Sequence, residues 1–132
     1  MKRLGSVALL ATALVFGLSC GGDPTMSGPG TLKVRLTSPN SGLDSAIVFT
    51  ITGPAALTSA AAGAGLRLFQ QPLGGTSTKF ALIGRLNTGT TILTIGVQDI
   101  SALSQYTGTI NGVAQPNYQL RSLGSYALAL TR

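Results

Sequence analysis

The sequence predicts an all-β protein: a single antiparallel β-sandwich of about seven to nine short strands. Three observations lead there. From Thr31 onward, apolar and polar residues alternate in short runs, the period of a strand with one wet face. Those runs are filled by Thr, Val, Ile and Leu, side chains that pack well on a pleated surface. Clusters of Gly, Pro, Asn and Ser separate one run from the next. Composition points the same way. With only 9 % charged residues, 18 glycines and neither Trp nor His, the chain is too apolar for disorder and too rich in Gly and Thr for a helical bundle. Its 132 residues suffice for one domain, and its single cysteine cannot form an internal disulfide. Stability must therefore come from a buried core.

The first element is not a strand. "MKRLGSVALLATALVFGLS", residues 1–19, has the parts of a secretory signal: Lys2 and Arg3 as the positive start, Leu4 to Leu18 as the apolar run, and small Gly17 and Ser19 at its end. The run is shorter than the roughly 20 apolar residues that span a bilayer as a stable helix. Export is the expectation. The sequence "GLSC" followed by "GGD" resembles the lipobox of bacterial lipoproteins, in which the thiol receives a diacylglycerol and becomes the mature N-terminus. The resemblance implies lipid attachment at Cys20 and a protein held on a bacterial membrane. Gly21 stands where an inner-membrane retention signal has aspartate, so the outer membrane is implied where one exists. Two features depart from the family pattern: Gly17 replaces the usual aliphatic residue, and Leu18 is bulkier than the common small one. Gly17 and Ser19 also suit an ordinary signal peptidase, which would yield a secreted or periplasmic protein with a free thiol. "GGDPTMSGPG", residues 21–30, reads as a tether without periodicity, so residues 20–30 form an anchored linker before a domain at 31–132.

The strands follow in order. "TLKVRLT" at 31–37 alternates Leu32, Val34 and Leu36 with polar residues. After the turn cluster "SPNSGLDS", "AIVFTIT" at 46–52 sets Ile47, Phe49 and Ile51 on one face. "AALTSAAAGAG" at 55–65 reads as an extended or loop segment, because two glycines near its end weaken the helical tendency of its alanines. "LRLF" at 66–69 is a short strand closed by "QQPLGG"; "TKFALIGRL" at 78–86 puts Phe80, Leu82 and Leu86 in phase. "NTGT" is expected to turn a hairpin into "TILTIGV" at 91–97. "YTGTINGV" at 106–113, a short "NYQL" at 117–120 and "SYALALT" at 125–131 complete the set. "GTLKVRLTSPNSGLDSAIVFTITGP" resembles the opening strands of cohesin-like domains and related carbohydrate-binding modules, and "LTIGVQD" with "YTGTINGVAQPNYQLRSLGSYALALT" is similar to their closing strands. That likeness implies a jelly-roll sandwich and a role in binding a protein or glycan; an immunoglobulin-like sandwich is the rival topology.

Little equipment for chemistry is present. Without His there is no Ser–His or Cys–His pair and no imidazole metal ligand. The only acidic side chains are Asp23, Asp44 and Asp99; the last two stand in turn contexts, "GLDS" and "VQDI", where aspartate bonds local backbone. No oxygen-rich calcium loop is visible, and "PLGGTSTK" at 72–79 reads as a hairpin turn rather than a phosphate loop. No catalytic residue, metal site or cofactor is assigned. The basic residues Lys33, Arg35, Arg67, Lys79, Arg85 and Arg121 are spread along the chain, either as a solvated polar face or as one that leans on anionic lipid headgroups. Export argues against nucleic acid as a partner. Tyr106 and Tyr126 fall in phase with core positions, whereas Phe69 shares its phase with Arg67 and Gln71 and is the aromatic expected to be exposed. The candidate binding surface is therefore Lys33, Arg35, Arg67 and Phe69. The expected function is a non-enzymatic, lipid-anchored envelope protein that binds or scaffolds an extracytoplasmic partner; a cohesin-like docking module and a purely structural envelope component are the alternatives.

Overall fold

A computed structural model describes residues 27–132; the leader, Cys20 and the tether up to residue 26 lie outside the described residues. The elements are β1 (Gly30–Thr37), β2 (Asp44–Thr52), β3 (Ser59–Ala62), β4 (Arg67–Pro72), β5 (Ser77–Leu86), β6 (Thr91–Val97), a 3-10 helix (Ile100–Gln105), β7 (Thr107–Ala114) and β8 (Ala127–Thr131). They form two four-stranded antiparallel sheets, β3-β6-β1-β8 and β4-β5-β2-β7, packed as a sandwich. The pairing is nested. The first strand pairs with the last, β2 with β7, β3 with β6 and β4 with β5, so the chain winds as a folded ribbon. Further pairing of β1 with β6 and of β2 with β5 joins the ribbon halves into sheets.

The alternation read from the sequence is what fills the core. Leu32, Val34 and Leu36 from β1, Ile47, Phe49 and Ile51 from β2, and Phe80, Leu82 and Leu86 from β5 are all buried. Leu93, Ile95 and Val97 from β6 complete the layer between the sheets. Each such side chain contributes about 1.5–3 kcal/mol relative to exposure. Phe49 and Phe80 pair across β2 and β5 with ring centroids 5.6 Å apart. Gly53 is needed by this packing: a Cβ there would collide with the Tyr106 ring, so the backbone passes directly beneath it.

Three local expectations change, and the extended reading of 55–65 is sharpened. The "NTGT" turn does not close a hairpin, because β5 and β6 belong to different sheets. It is a corner between the layers, held to β1 by Gly89 N–H to Leu36 O at 2.7 Å and Leu36 N–H to Thr90 O at 3.1 Å. Within 55–65, Ser59–Ala62 pair with Leu93–Gly96 as an edge strand. The third predicted strand runs on from Phe69 to Pro72 because Gln70 and Gln71 pair with Phe80 and Lys79. "NYQL" contracts to one bridge, Leu120 with Ala114.

Irregularities in the ladders decide where several side chains point. Across β2 and β5 the register shifts between Asp44 and Ala46, where the partners run from Leu86 to Ile83. The extra residue falls at Gly84–Arg85, and Gly84 takes a φ of 144° at this bulge. A second shift makes Ile92 the extra residue on β6, and both Ile92 and Leu93 are buried.

Candidate binding face of one sheet

The four residues singled out from the sequence do not form one surface. Lys33 and Arg35 point outward from β1 in one sheet, while Arg67 and Phe69 point outward from β4 in the other, on the opposite side of the sandwich. Arg35 also donates to the Gly89 carbonyl and so braces the β5–β6 corner. Around Lys33 and Arg35 the outer face is built from Thr31, Thr37, Thr94, Thr131 and Ala129, small side chains without a large exposed apolar group.

The outer face of β4-β5-β2-β7 is different. One row across it runs Phe69, Ala81, Val48, Gly112; the next runs Arg67, Ile83, Ala46, Ala114 and reaches Leu120 through the isolated bridge. A third, polar row runs Gln71, Lys79, Thr50, Thr109. Phe69 is 52 % exposed and Ile83 44 % exposed. The Arg67 guanidinium carbon stands 5.7 Å from the Phe69 ring centre, a cation–π contact that fixes the charge beside the apolar patch. A shallow cleft of about 410 Å³ lies over Val48, Phe69, Gln70, Gln71, Lys79 and Ala81. Arg67, Lys79 and Arg85 frame the patch, all exposed, and no carboxylate side chain is on this face. The arrangement suits an anionic surface with apolar character.

Phe69 was visible from its phase. Val48, Ala81 and Ile83 were not singled out, although each is an apolar residue on the strand face opposite the core residues, which is the signal that marks them. Tyr106 and Tyr126 are buried, in keeping with their phase. Tyr118 is 88 % exposed in the loop after β7 and stands apart from the rows described above.

The two described aspartates have separate tasks. Asp99 follows the local expectation: its Oδ1 accepts from Ser101 N–H at 2.9 Å and Ser101 Oγ at 2.7 Å, capping the 3-10 helix. It also accepts from Gly28 N–H at 3.1 Å, and Ile100 N–H donates to Gly28 O at 2.9 Å, so the end of the tether is pinned to the fold. These hydrogen bonds, led by that of the Ser101 side chain, hold the Asp99 carboxyl below its ordinary value.

Asp44 corrects the expectation of local backbone bonding. Its side chain is fully buried, where Oδ1 accepts from Arg121 Nε at 2.7 Å and Oδ2 from the Tyr126 hydroxyl at 2.6 Å. Asn40 Nδ2 donates to the Tyr126 oxygen at 2.9 Å, and Ser38 Oγ accepts from Asn40 N–H at 2.9 Å. Arg121 is accordingly not part of a solvated basic face. Burial first, and the hydrogen bond to Asp44 next, push the Tyr126 hydroxyl above its ordinary value. Asp44 adjoins the end of β1 at Thr37 and Asp99 its start at Gly30, so a strand length of roughly 25 Å separates them and they form no carboxylate pair.

A larger hollow, about 630 Å³, follows the seam where edge strands β7 and β8 part, lined by residues such as Leu103, Tyr106, Leu128 and Leu130. Those side chains are the margin of the core. Among the described residues, no three Cys, His, Asp or Glu side chains gather as metal ligands would, and no helix is long and apolar enough to cross a membrane. Comparison with known proteins found no family model, no curated relative and no solved structure that matches the chain.

Proposed function

We propose that the chain is a non-enzymatic, lipid-anchored cell-envelope protein whose β-sandwich binds an extracytoplasmic partner through the outer face of β4-β5-β2-β7. The observation that carries this reading is the union, on one sheet face, of exposed Phe69 and Ile83 with Arg67, Lys79 and Arg85 and without any carboxylate. Export and anchoring rest on the leader and on the lipobox-like "GLSC" ending at Cys20. The non-enzymatic reading rests on the occupation of both described carboxylates, Asp44 by Arg121 and Tyr126, and Asp99 by Ser101 and Gly28.

The test is intact mass and membrane fractionation of the natively expressed protein beside a Cys20→Ala variant. The expected result is an acylated mature form that starts at Cys20, found with membranes and released by the substitution. An unmodified mature form that remains in the soluble fraction overturns the anchor.

A further inference from the structure

We propose that the outer face of β4-β5-β2-β7 lies flat on the anionic phospholipid headgroups of the membrane that holds Cys20, so that the membrane itself is the partner of this face. The inference rests on the anchored reading above and names the ligand of the same surface.

Charge complementarity is the first support. Arg67, Lys79 and Arg85 project from two neighbouring strands around Phe69 and Ile83, and the only acidic side chains among the described residues are Asp44, inside the fold, and Asp99, beside the start of β1. Cations at the headgroup level with aromatic and aliphatic side chains dipping beneath them form the arrangement an interfacial surface uses. Leu73, in the β4–β5 turn at the margin of the face, is 49 % exposed and extends the apolar edge, as does Leu120 at 76 %. The opposite sheet has cations in Lys33 and Arg35 but no large exposed apolar side chain beside them, so only one face combines both parts.

The point of entry of the chain is the second support. Gly28 is pinned by Asp99, and the eight residues from Cys20 to Gly28 reach at most roughly 28 Å when extended. The sheets of a sandwich lie about 10 Å apart. The leash is therefore long enough to bring this face round to the bilayer and short enough to keep it there, where the high effective concentration makes a weak headgroup attraction sufficient. Each well-placed cation strengthens such attraction about fivefold. A second copy of the chain is a poorer occupant, since two such faces would set cation against cation.

The chain has no Trp, so Phe69→Trp places a single indole on the face. The natively processed protein carrying it is reconstituted on vesicles of phosphatidylcholine alone or with phosphatidylglycerol, some with brominated acyl chains. Thr131→Trp on the opposite sheet is the control, and far-UV dichroism with unfolding midpoints establishes that each variant is folded. The expected result is a blue-shifted, bromine-quenched indole at position 69 on the anionic vesicles and a water-like indole at 131. Joint Arg67→Glu, Lys79→Glu and Arg85→Glu substitution is expected to weaken docking by about a hundredfold or more. An indole at 69 that remains water-like on anionic vesicles while the protein floats with them overturns the proposal and leaves the anchor standing. A blue shift without lipid that grows with protein concentration overturns it in favour of self-association. Failure to float with phosphatidylcholine vesicles sinks the anchor instead, and the emission on anionic vesicles still decides the face.

Discussion

Asp44 and Asp99 begin from similar sequence surroundings and end in opposite environments. Asp99 takes its partners from Ser101 and Gly28 at an exposed helix start, whereas Asp44 is enclosed at the far end of β1 and draws on Ser38, Arg121 and Tyr126. Arg121 and Tyr126 lie 77 and 82 residues away along the chain. The difference teaches that a short polar side chain beside a turn acts through local backbone only while it stays in water. Once enclosed, it needs charged and hydroxylic partners brought from elsewhere in the fold. Asp44 is thus a clamp that fastens the 115–126 segment to the start of β2, and Asp99 is a latch on the entering chain.

The largest expected effect comes from removing the clamp. Asp44→Ala leaves the Arg121 guanidinium and the Tyr126 hydroxyl without their buried acceptor, at a cost of about 3–5 kcal/mol. Urea denaturation checks this, and a cost below about 1 kcal/mol would place the cluster among the ordinary surface pairs.

A second effect is read at alkaline pH. The Tyr126 hydroxyl is raised, so the fold favours its neutral form; that contribution is complete below the unfolded value of about 10 and is lost as pH rises through the folded one. Tyr106 is raised as well, by burial and then by the Asp99 charge, and adds to the same limb. Thermal midpoints measured from pH 8 to 11, a range chosen to bracket the ordinary tyrosine value of about 10, should fall less steeply for Tyr126→Phe than for the wild type. Parallel slopes would mean that the hydroxyl titrates as freely in the fold as in the unfolded chain.

The smallest effect belongs to the latch. Asp99→Ala should lower the midpoint by less than Asp44→Ala and speed amide exchange at Gly28 and Ser101, with the β2–β5 ladder unaffected. Because the Asp99 carboxyl is held below its ordinary value, its contribution is present above about pH 3.9 and disappears as pH falls through the lowered value. Exchange that accelerates throughout the sandwich would make Asp99 a global rather than a local element.

Much of this structure was determined by sequence alone. The alternation of Leu32, Val34 and Leu36, of Ile47, Phe49 and Ile51, and of Phe80 and Leu82 assigns each strand a dry face, and the exposure of Phe69 follows from the same period. Tertiary structure alone decided which strands are neighbours. Phe69, Ala81, Val48 and Gly112 share a row only because β4, β5, β2 and β7 pair in that order and register. The burial of Asp44 was equally beyond the period: its phase mates Ala46, Val48 and Thr50 face outward, and Asp44 is enclosed by Arg121 and Tyr126, which arrive from far along the chain. Alternation is a property of one strand and is written locally. Register, bulges and the partners of a buried charge are properties of several strands at once, and they exist only after the layers have closed.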